Sequence, residues 1–371
     1  MKNKRVLVYI AFAAIVSAAL VVFSYIKPSI KDYEIFHDEK YGGVYTKISI
    51  EDFNEKGFNF GDSVDVKFSN GNELLDIPYY NGYYVDFEKP LLVGYPGSKN
   101  IKIGINYGDD LWTKFNLTPE DTVTIKLNTT KKYLNIQEAR NIHYSDEQGN
   151  QTDEVFGNFR SVNVSKIKPN VLYRSASPIN NEHKRASVVD KLMKEAGIKY
   201  IIDLSDNEND IESDFIKVGF NSPYFLSLYN DHKVMPLSMN VQFKTEDFSN
   251  KLVKGLTELA NNDGPYLVHC VEGKDRTGFV IMVLEAIIGS SYEEMIDDYM
   301  ETYKNYYSIT KESDEIKYNT IKETNIDIML KYISGSDELE NLDYSTKAKD
   351  YLLSHGMKEE DINKLIEKLT K

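Results

Sequence analysis

The order of apolar and polar positions divides this 371-residue chain into three stretches of different character. The first runs from Val6 to Ile26, carries no charged side chain and follows the basic start MKNKR. About 20 apolar residues match the ~30 Å hydrocarbon core of a bilayer. The pattern therefore predicts an N-terminal transmembrane helix within residues 1–29.

A cleaved signal peptide is the alternative for this segment, although the apolar region of such peptides is typically about 7–15 residues long. In both cases the basic residues before the apolar run leave the rest of the chain on the outer side of the membrane. Few Arg and many Lys, Asn, Tyr and Ile residues fit the composition of an AT-rich bacterium. We therefore expect a protein anchored in a bacterial cell membrane with its folded part outside the cytoplasm, or a secreted one if the segment is removed.

The second stretch, residues 30–142, has the pattern of short β-strands. Polar and apolar residues alternate in SVDVKF (63–68), and Asn70-Gly71 and Asn81-Gly82 are signals for hairpin turns. Short strands at this spacing predict a small all-β domain, either a sandwich or a barrel. Its many tyrosines would suit the wall of a ligand site, but aromatic residues at such positions more often form the core and the half-buried face of a sheet.

The third stretch alternates between helix and strand patterns. It follows a polar connection at 143–158, occupies residues 159–335, and precedes a charged helical extension at 336–371. Helix patterns occur at 186–197, 247–264 and 276–291, and buried strands at 199–205 and 265–270. This alternation predicts an α/β domain with a central, mainly parallel sheet flanked by helices.

Composition narrows the functions that such a chain can have. A net charge of −14 excludes a general basic field for nucleic acid, so an anionic ligand needs a local cluster of donors. The single cysteine excludes an intrachain disulfide. The six histidines are scattered without ligand spacing, and we predict neither a metal nor another cofactor.

That cysteine lies in VHCVEGKDRTGF (268–279), between a buried strand and an apolar helix. A strand-to-helix loop directs backbone N–H groups and the positive helix N-terminus into one concavity, which suits a tetrahedral dianion. Gly273 permits a close approach of the backbone, and Arg276 can bind two phosphate oxygens with its guanidinium. The same positive field stabilises the thiolate of Cys270 as a nucleophile. We expect the phosphate to be bound by the loop residues Val271, Glu272, Gly273, Lys274, Asp275 and Arg276.

Two neighbours are expected to support this loop. The ring of His269 would fix it through hydrogen bonds, and the hydroxyl of Thr277 would donate a hydrogen bond to the thiolate.

The form HCxxGKDRTG resembles the phosphate-binding loop of the cysteine-dependent protein tyrosine phosphatase superfamily. It is similar to the bacterial branch of atypical tyrosine and dual- or lipid-specific phosphatases. NFRSVN (158–163), VLYRSASP (171–178) and IIDLS (201–205) resemble segments of that branch, so the resemblance covers roughly residues 153–310. Two positions depart from the pattern, because Ser161 stands where the family often has Asp and Ser205 where it often has Arg.

The resemblance implies a two-step hydrolysis of a phosphomonoester. Cys270 would attack phosphorus to give a phosphocysteine intermediate, which water would then hydrolyse. A general acid must protonate the leaving group. Asp275, inside the loop, is the favoured candidate. Asp206, or the less favoured Asp210, on the loop after a strand is the alternative.

The substrate implied by the resemblance is most directly a phosphotyrosine protein. A phosphoinositide or inositol phosphate is the alternative, because Lys274 and Arg174 would suit extra phosphates at the rim of the pocket. We weigh two other classes of protein against these. A rhodanese-like sulfurtransferase lacks the His before the cysteine and the Arg-Thr pair, and a catalytically silent, surface-anchored phosphate-binding or adhesion module would retain the loop without turnover.

Overall fold

A computed structural model describes residues 27–370 of the chain. The chain divides into two compact units, with the boundary between Asn141 and Ile142. The finer limits predicted above, a connection at 143–158 and a separate extension at 336–371, stay predictions.

The first unit is a closed barrel of seven strands in the order β1-β2-β6-β5-β4-β3-β7. Its neighbouring strands are antiparallel except β4 and β5, which are parallel. The strands are β1 Ser29–His37, β2 Val44–Ser49, β3 Ser63–Phe68, β4 Glu73–Tyr80, β5 Pro90–Val93, β6 Asn100–Ile105 and β7 Thr122–Thr129. Between residues 27 and 141, three short helices accompany them: α1 Ile50–Glu55, α2 Leu111–Lys114 and α3 Leu134–Arg140.

The prediction of a plain small all-β domain needs correction, because this unit is a closed seven-stranded barrel with short helices between its strands. Alternating side chains point into the barrel, where residues such as Val64, Val66 and Phe68 of β3 are fully buried. Asn70-Gly71 joins β3 to β4 as a hairpin turn, as predicted. Asn81-Gly82 does not form a hairpin, because β4 pairs in parallel with β5. A parallel pair needs a crossover connection, which occupies residues 81–89.

The prediction of a transmembrane helix, and of the membrane location that depended on it, also needs correction. Between residues 27 and 370 no helix is both long and apolar enough to cross a bilayer. The two longest, Glu246–Asn261 and Tyr292–Tyr307, have 16 residues each and carry several charges. The segment Val6–Ile26, on which the prediction rested, lies outside the described residues.

The second unit has a five-stranded sheet in the order β11-β10-β12-β9-β8. The four strands from β11 to β9 are parallel, and the short β8 at the edge is antiparallel to β9. The strands are β8 Arg160–Ser161, β9 Leu172–Ser175, β10 Tyr200–Asp203, β11 Val234–Pro236 and β12 Tyr266–His269. This is the mainly parallel sheet that the alternation of helices and strands predicted.

Helices surround this sheet and complete the unit. One turn of π-helix, Lys322–Ile326, continues α11 into α12. The helices are α4 Asp153–Phe156, α5 Ala186–Glu195, α6 Glu208–Phe215, α7 Pro223–Asn230, α8 Glu246–Asn261, α9 Asp275–Ile287, α10 Tyr292–Tyr307, α11 Glu315–Ile321, α12 Asp327–Ser334, α13 Tyr344–Ser354 and α14 Glu359–Thr370.

The sheet brings three strand ends together. In the parallel register, His269 at the end of β12 lies between Asp203 of β10 and Ser175 of β9. Helix α9 follows β12 after five residues and is buried on all sides from Thr277 to Ile287. The loop from Cys270 to Lys274 is therefore held between a central strand and a fully buried helix.

Candidate active site

The loop after β12 makes a tight turn that only glycine tolerates at its centre. Gly273 has a φ of +67°. A Cβ atom built there would lie 2.2 Å from the carbonyl oxygen of Ser175, at the end of β9. Because that oxygen belongs to backbone, it has little freedom to move away. The sequence therefore needs glycine here both for the left-handed conformation and for the close approach of two backbones.

Three successive carbonyl groups of the loop are bound by surrounding protein. The N–H of Ser177 donates to the oxygen of Val271 at 3.0 Å. The hydroxyl of Tyr306 donates to the oxygen of Glu272 at 2.7 Å. The side chain of Asn158 reaches the oxygens of both Glu272 and Gly273 at 3.3 Å.

The backbone N–H groups of the loop face the other way. In a trans peptide unit the C=O and the next N–H point in opposite directions, so the N–H groups of Glu272, Gly273 and Lys274 point away from these partners. From Val271 to Thr277, no backbone N–H finds a hydrogen-bond acceptor among residues 27–370. A row of unpaired N–H groups that leads into a helix N-terminus is a site for an anion.

Arg174 supports the loop from beneath. Its side chain is completely buried, and its guanidinium donates to the oxygen of Gly273 at 2.9 Å. It also pairs with Asp298 of α10, which Arg160 contacts at 3.3 Å as well. The two guanidinium groups hold the pKa of Asp298 below its usual range, although burial opposes them. Arg174 therefore fixes the loop, whereas the sequence suggested a place at the rim of the pocket.

Cys270 begins the loop and is almost completely buried, at 3% exposed. The hydroxyl of Thr277 is buried too and has no hydrogen-bond partner within residues 27–370, so the predicted bond to the sulfur is not made in this structure. His269 is fully buried, and neither ring nitrogen has a hydrogen-bond partner in the same part of the chain. Burial lowers the pKa of His269 to about 4, which keeps its ring neutral near pH 7.

Arg276 lies in the first turn of α9 and is half-buried. One of its terminal nitrogens donates to the carbonyl oxygen of Met239 at 3.0 Å, in the segment after β11. A guanidinium has five N–H donors, so a single contact of this kind orients the group and leaves donors for a ligand.

Asp206 and Asp203 share the hydroxyl of Ser205. The Ser205 oxygen lies 2.7 Å from Asp206 Oδ2 and 3.0 Å from Asp203 Oδ1. A hydroxyl has one hydrogen to donate, so both contacts are hydrogen bonds only if one carboxyl group is protonated. Burial raises the pKa of both groups to about 6, and for Asp206 the charge of Asp203 adds to the effect. The pair therefore keeps a proton well above the usual range of an aspartate.

Asp275 has different surroundings. Its side chain is 45% exposed, lies 3.9 Å from the ammonium of Lys274 and accepts a weak hydrogen bond from Tyr299 at 3.4 Å. It also occupies the first turn of α9.

Lys274 is not a free surface lysine. Its ammonium pairs with Glu272 at 2.9 Å and lies 3.3 Å from the hydroxyl of Tyr307. Although burial opposes it, the negative charge of Asp275 and Glu272 holds the pKa of Lys274 well above its usual value. Glu272 in turn accepts a hydrogen bond from Tyr144 at 2.5 Å. The positive charge is thus already matched within the loop.

The structure brings the predicted loop residues together. Asp206 is held next to the strand that precedes this loop, because the N–H of Leu204, two residues before Asp206, donates to the oxygen of His269. Three residues of this site were not predicted from the sequence: Asn158 and Tyr306, which hold the loop carbonyls, and Asp203, which pairs with Asp206. Asn158 opens the NFRSVN segment that already carried the resemblance, so that signal was available. Nothing local distinguishes Tyr306 from the other tyrosines around it.

Two solved structures are similar to parts of this chain. One is an uncharacterized conserved protein from Thermotoga maritima, with 21% identity and a TM-score of 0.23, over 27% of this chain and 36% of that one. The other is TpbA from P. aeruginosa, with 13% identity and a TM-score of 0.25, over 46% of this chain and 92% of that one. The chain thus spans about a third of the length of the Thermotoga protein. No curated protein matches it.

The family comparison is decisive. A sequence model of the tyrosine phosphatase family matches residues 155–371, which is more than half of the chain. The resemblance seen in the HCxxGKDRTG loop is confirmed, and the chain belongs to the tyrosine phosphatase family.

Proposed function

We propose that this protein is a protein-tyrosine phosphatase that uses Cys270 as its nucleophile and Arg276 as the clamp on the phosphate. The observation that carries the proposal is the row of unpaired N–H groups from Val271 to Thr277. Cys270 stands at one end of that row and Arg276 within its last turn. A phosphate bound to those groups would present its phosphorus to the sulfur, and Arg276 would neutralise the charge that develops on its oxygens.

The reaction has two steps. In the first, the sulfur of Cys270 attacks phosphorus, the bond from phosphorus to the leaving oxygen breaks, and an acid protonates that oxygen. In the second, water attacks the phosphocysteine, the sulfur–phosphorus bond breaks, and the conjugate base of the same acid takes a proton from the water. Inorganic phosphate is released and the thiolate is restored.

Asp206 is the better candidate for the acid. A general acid must carry a proton at the working pH, and the pKa of Asp206 is raised to about 6. Asp275 is more exposed to solvent, at 45%, and lies beside the ammonium of Lys274. Ser205, which stands where the family often has Arg, is uncharged, so this position adds no positive charge beside the two aspartates.

A phosphotyrosine substrate fits the charges better than a phosphoinositide or inositol phosphate. Extra phosphates need unmatched positive charge at the mouth of the pocket, but Lys274 is already paired with Glu272 and Arg174 is fully buried. Aromatic side chains lie beside the loop instead. Tyr144 stacks on Tyr306 with ring centres 4.8 Å apart, and Tyr307 adjoins both. The ring of an aryl phosphate would pack against these tyrosine rings.

Phosphate release by the full-length chain tests the proposal. We expect turnover of a phosphotyrosine peptide that exceeds turnover of a matched phosphoserine peptide and of a phosphoinositide. Cys270→Ser should abolish turnover while the folded protein still binds inorganic phosphate. Faster release from the phosphoinositide would replace the proposed substrate, and full activity of the serine variant would refute the nucleophile. If folded wild-type protein turns over none of these substrates, the protein is instead the catalytically silent phosphate-binding module considered above.

A further inference from the structure

The barrel of the first unit carries a cleft of about 620 Å³ that the phosphatase chemistry does not use. Five tyrosines line it: Tyr41, Tyr45, Tyr83, Tyr95 and Tyr107. Three of them are largely open to solvent, with Tyr41 74%, Tyr95 52% and Tyr107 65% exposed. Exposed aromatic side chains that line one cleft are characteristic of a binding site rather than of a core.

An ion pair forms the floor of this cleft. The ammonium of Lys102 lies 2.6 Å from Asp38 Oδ2, and the two side chains are only 7% and 9% exposed. Lys102 belongs to β6, where its neighbours Ile101 and Ile103 point into the barrel core. Because side chains alternate along a strand, Lys102 points to the outer face, where it is nevertheless buried. It lies 5.6 Å from the ring centre of Tyr45 and 6.0 Å from that of Tyr83.

A buried ion pair is weak evidence for stability, because apolar residues of similar size often serve a fold equally well. A charged pair on the outer face of a barrel wall, beneath exposed aromatic rings, is better explained by a ligand that needs polar groups in the cleft. The pair also limits what that ligand can be.

Charged ligands fit the cleft poorly. A cation would have to compete with the ammonium of Lys102, which already faces the rings of Tyr45 and Tyr83. An anion would find that ammonium neutralised by Asp38 and would meet the carboxylate of Asp109 at the edge of the cleft. An acyl chain would leave the polar floor without partners, and desolvating such groups is costly.

We propose that the cleft binds a neutral saccharide. A sugar ring combines flat apolar faces, which pack against tyrosine rings, with hydroxyl groups that need hydrogen-bond partners. The side-chain amides of Asn100 and Asn106 line the cleft and donate to the backbone oxygens of Ile48 and Val85. These bonds fix each amide and leave its oxygen to accept from a hydroxyl. Gly104 adds no side chain beside Lys102, so the floor stays open.

Saturation-transfer NMR on the full-length chain tests this, with cellotetraose, chitotetraose and maltotetraose as neutral probes. At least one probe should receive magnetisation from the protein. Tyr41→Ala and Tyr95→Ala should each weaken its affinity about tenfold, because one aromatic contact is lost. Both side chains are exposed, so these variants should fold.

Leu75→Ala is the matched control, since Leu75 is 60% exposed on the same barrel but does not line the cleft. It should leave binding unchanged. Failure of all three oligosaccharides to bind would overturn the proposal, as would binding that survives both tyrosine substitutions. Preferential binding of choline or of glucose 6-phosphate would assign the cleft to a charged ligand instead. None of these outcomes depends on phosphatase activity.

Discussion

The guanidinium of Arg174 donates a hydrogen bond to the carbonyl oxygen of Gly273 over 2.9 Å, in a place where the arginine has no exposed surface. This bond turns the peptide unit between Gly273 and Lys274 so that its N–H faces the inner side of the loop. The site therefore depends on a buried cation that never needs to touch the substrate.

Replacing this arginine should impair the loop without removing any phosphate contact. In Arg174→Lys one ammonium cannot serve both Asp298 and the Gly273 oxygen as the planar guanidinium does. A lost hydrogen bond to a charged group is worth about 1.5–3 kcal/mol, so we expect kcat/KM for p-nitrophenyl phosphate to fall about 10- to 100-fold. Steady-state kinetics on the full-length variant measure this.

Arg160→Lys is the control for that variant. Arg160 contacts the same Asp298 but does not bind the Gly273 oxygen. Both variants should lower the melting temperature, whereas Arg174→Lys should lose more activity. Equal losses of activity would mean that the direct bond from Arg174 to the Gly273 oxygen is not what matters, since Arg160 reaches the loop only through Asp298 and Asn158.

Gly273→Ala should reduce stability and activity far more than the same substitution at another glycine with an equal, positive φ. The new Cβ would lie 2.2 Å from the Ser175 oxygen, so the loop or the end of β9 must move. Gly197 has almost the same φ, +66°, but nothing lies within 4 Å of its would-be Cβ. Gly197→Ala should therefore cost only about 1 kcal/mol and keep its activity. Thermal unfolding and phosphate release by the two variants separate backbone strain from the clash.

Two tyrosines that contact Glu272 should contribute unequally. Tyr306 donates to its backbone oxygen and so orients the next N–H, whereas Tyr144 donates to its side chain, which Lys274 also binds. We expect Tyr306→Phe to reduce the affinity for inorganic phosphate about tenfold, and Tyr144→Phe to reduce it less. Calorimetric titration with phosphate compares them. A larger effect of Tyr144→Phe would show that the Glu272 side chain, not the carbonyl orientation, controls the loop.

Much of the second unit could be read from the sequence because local signals there agree with the tertiary contacts. The helix predicted at 186–197 is observed as Ala186–Glu195, with Gly197 in the left-handed conformation just beyond it. The strand before Cys270 and the helix after it were also predictable, since both are continuous apolar runs. The phosphate-binding loop was predictable as the connection between this strand and this helix.

What the sequence did not reveal depends on pairing between distant residues. Asn81-Gly82 has the composition of a hairpin turn, but β4 pairs in parallel with β5, and no local pattern encodes that choice. The closed barrel follows from the pairing of β1 with β7, almost a hundred residues apart along the chain. Asn158 and Tyr306 likewise act on the loop only because α10 and the segment before β8 pack around it.

The general acid can be identified from the pH dependence of catalysis. If Asp206 supplies the proton, it must be protonated, so kcat for a poor leaving group should fall as the pH rises above about 6. Asp206→Asn should lower kcat about 10²- to 10⁴-fold with alkyl phosphates and much less with p-nitrophenyl phosphate, and should abolish this alkaline limb. Asp275→Asn, measured in parallel, should keep the limb. The reverse pattern would assign the acid to Asp275.

The neighbouring Asp203 should make stability depend on pH in the opposite sense from an ordinary salt-bridged aspartate. Burial raises its pKa to about 6, so the folded state binds this proton more tightly than the unfolded state. The resulting stabilisation is complete below the unfolded pKa of about 3.9 and is lost as the pH rises through about 6. Asp203→Asn removes the buried charge but keeps an acceptor for the N–H groups of Ser205 and Asp206.

We therefore expect Asp203→Asn to gain stability over the wild type as the pH rises from about 4.5 to about 7.5, by up to about 3 kcal/mol. Melting temperatures of the full-length chain across that range measure the gain. Glu212→Gln removes an exposed carboxylate from the adjacent helix α6 and should show no such trend. A variant that instead loses stability at the higher pH would mean that Asp203 is charged in the folded protein and that its partner Asp206 holds the proton alone.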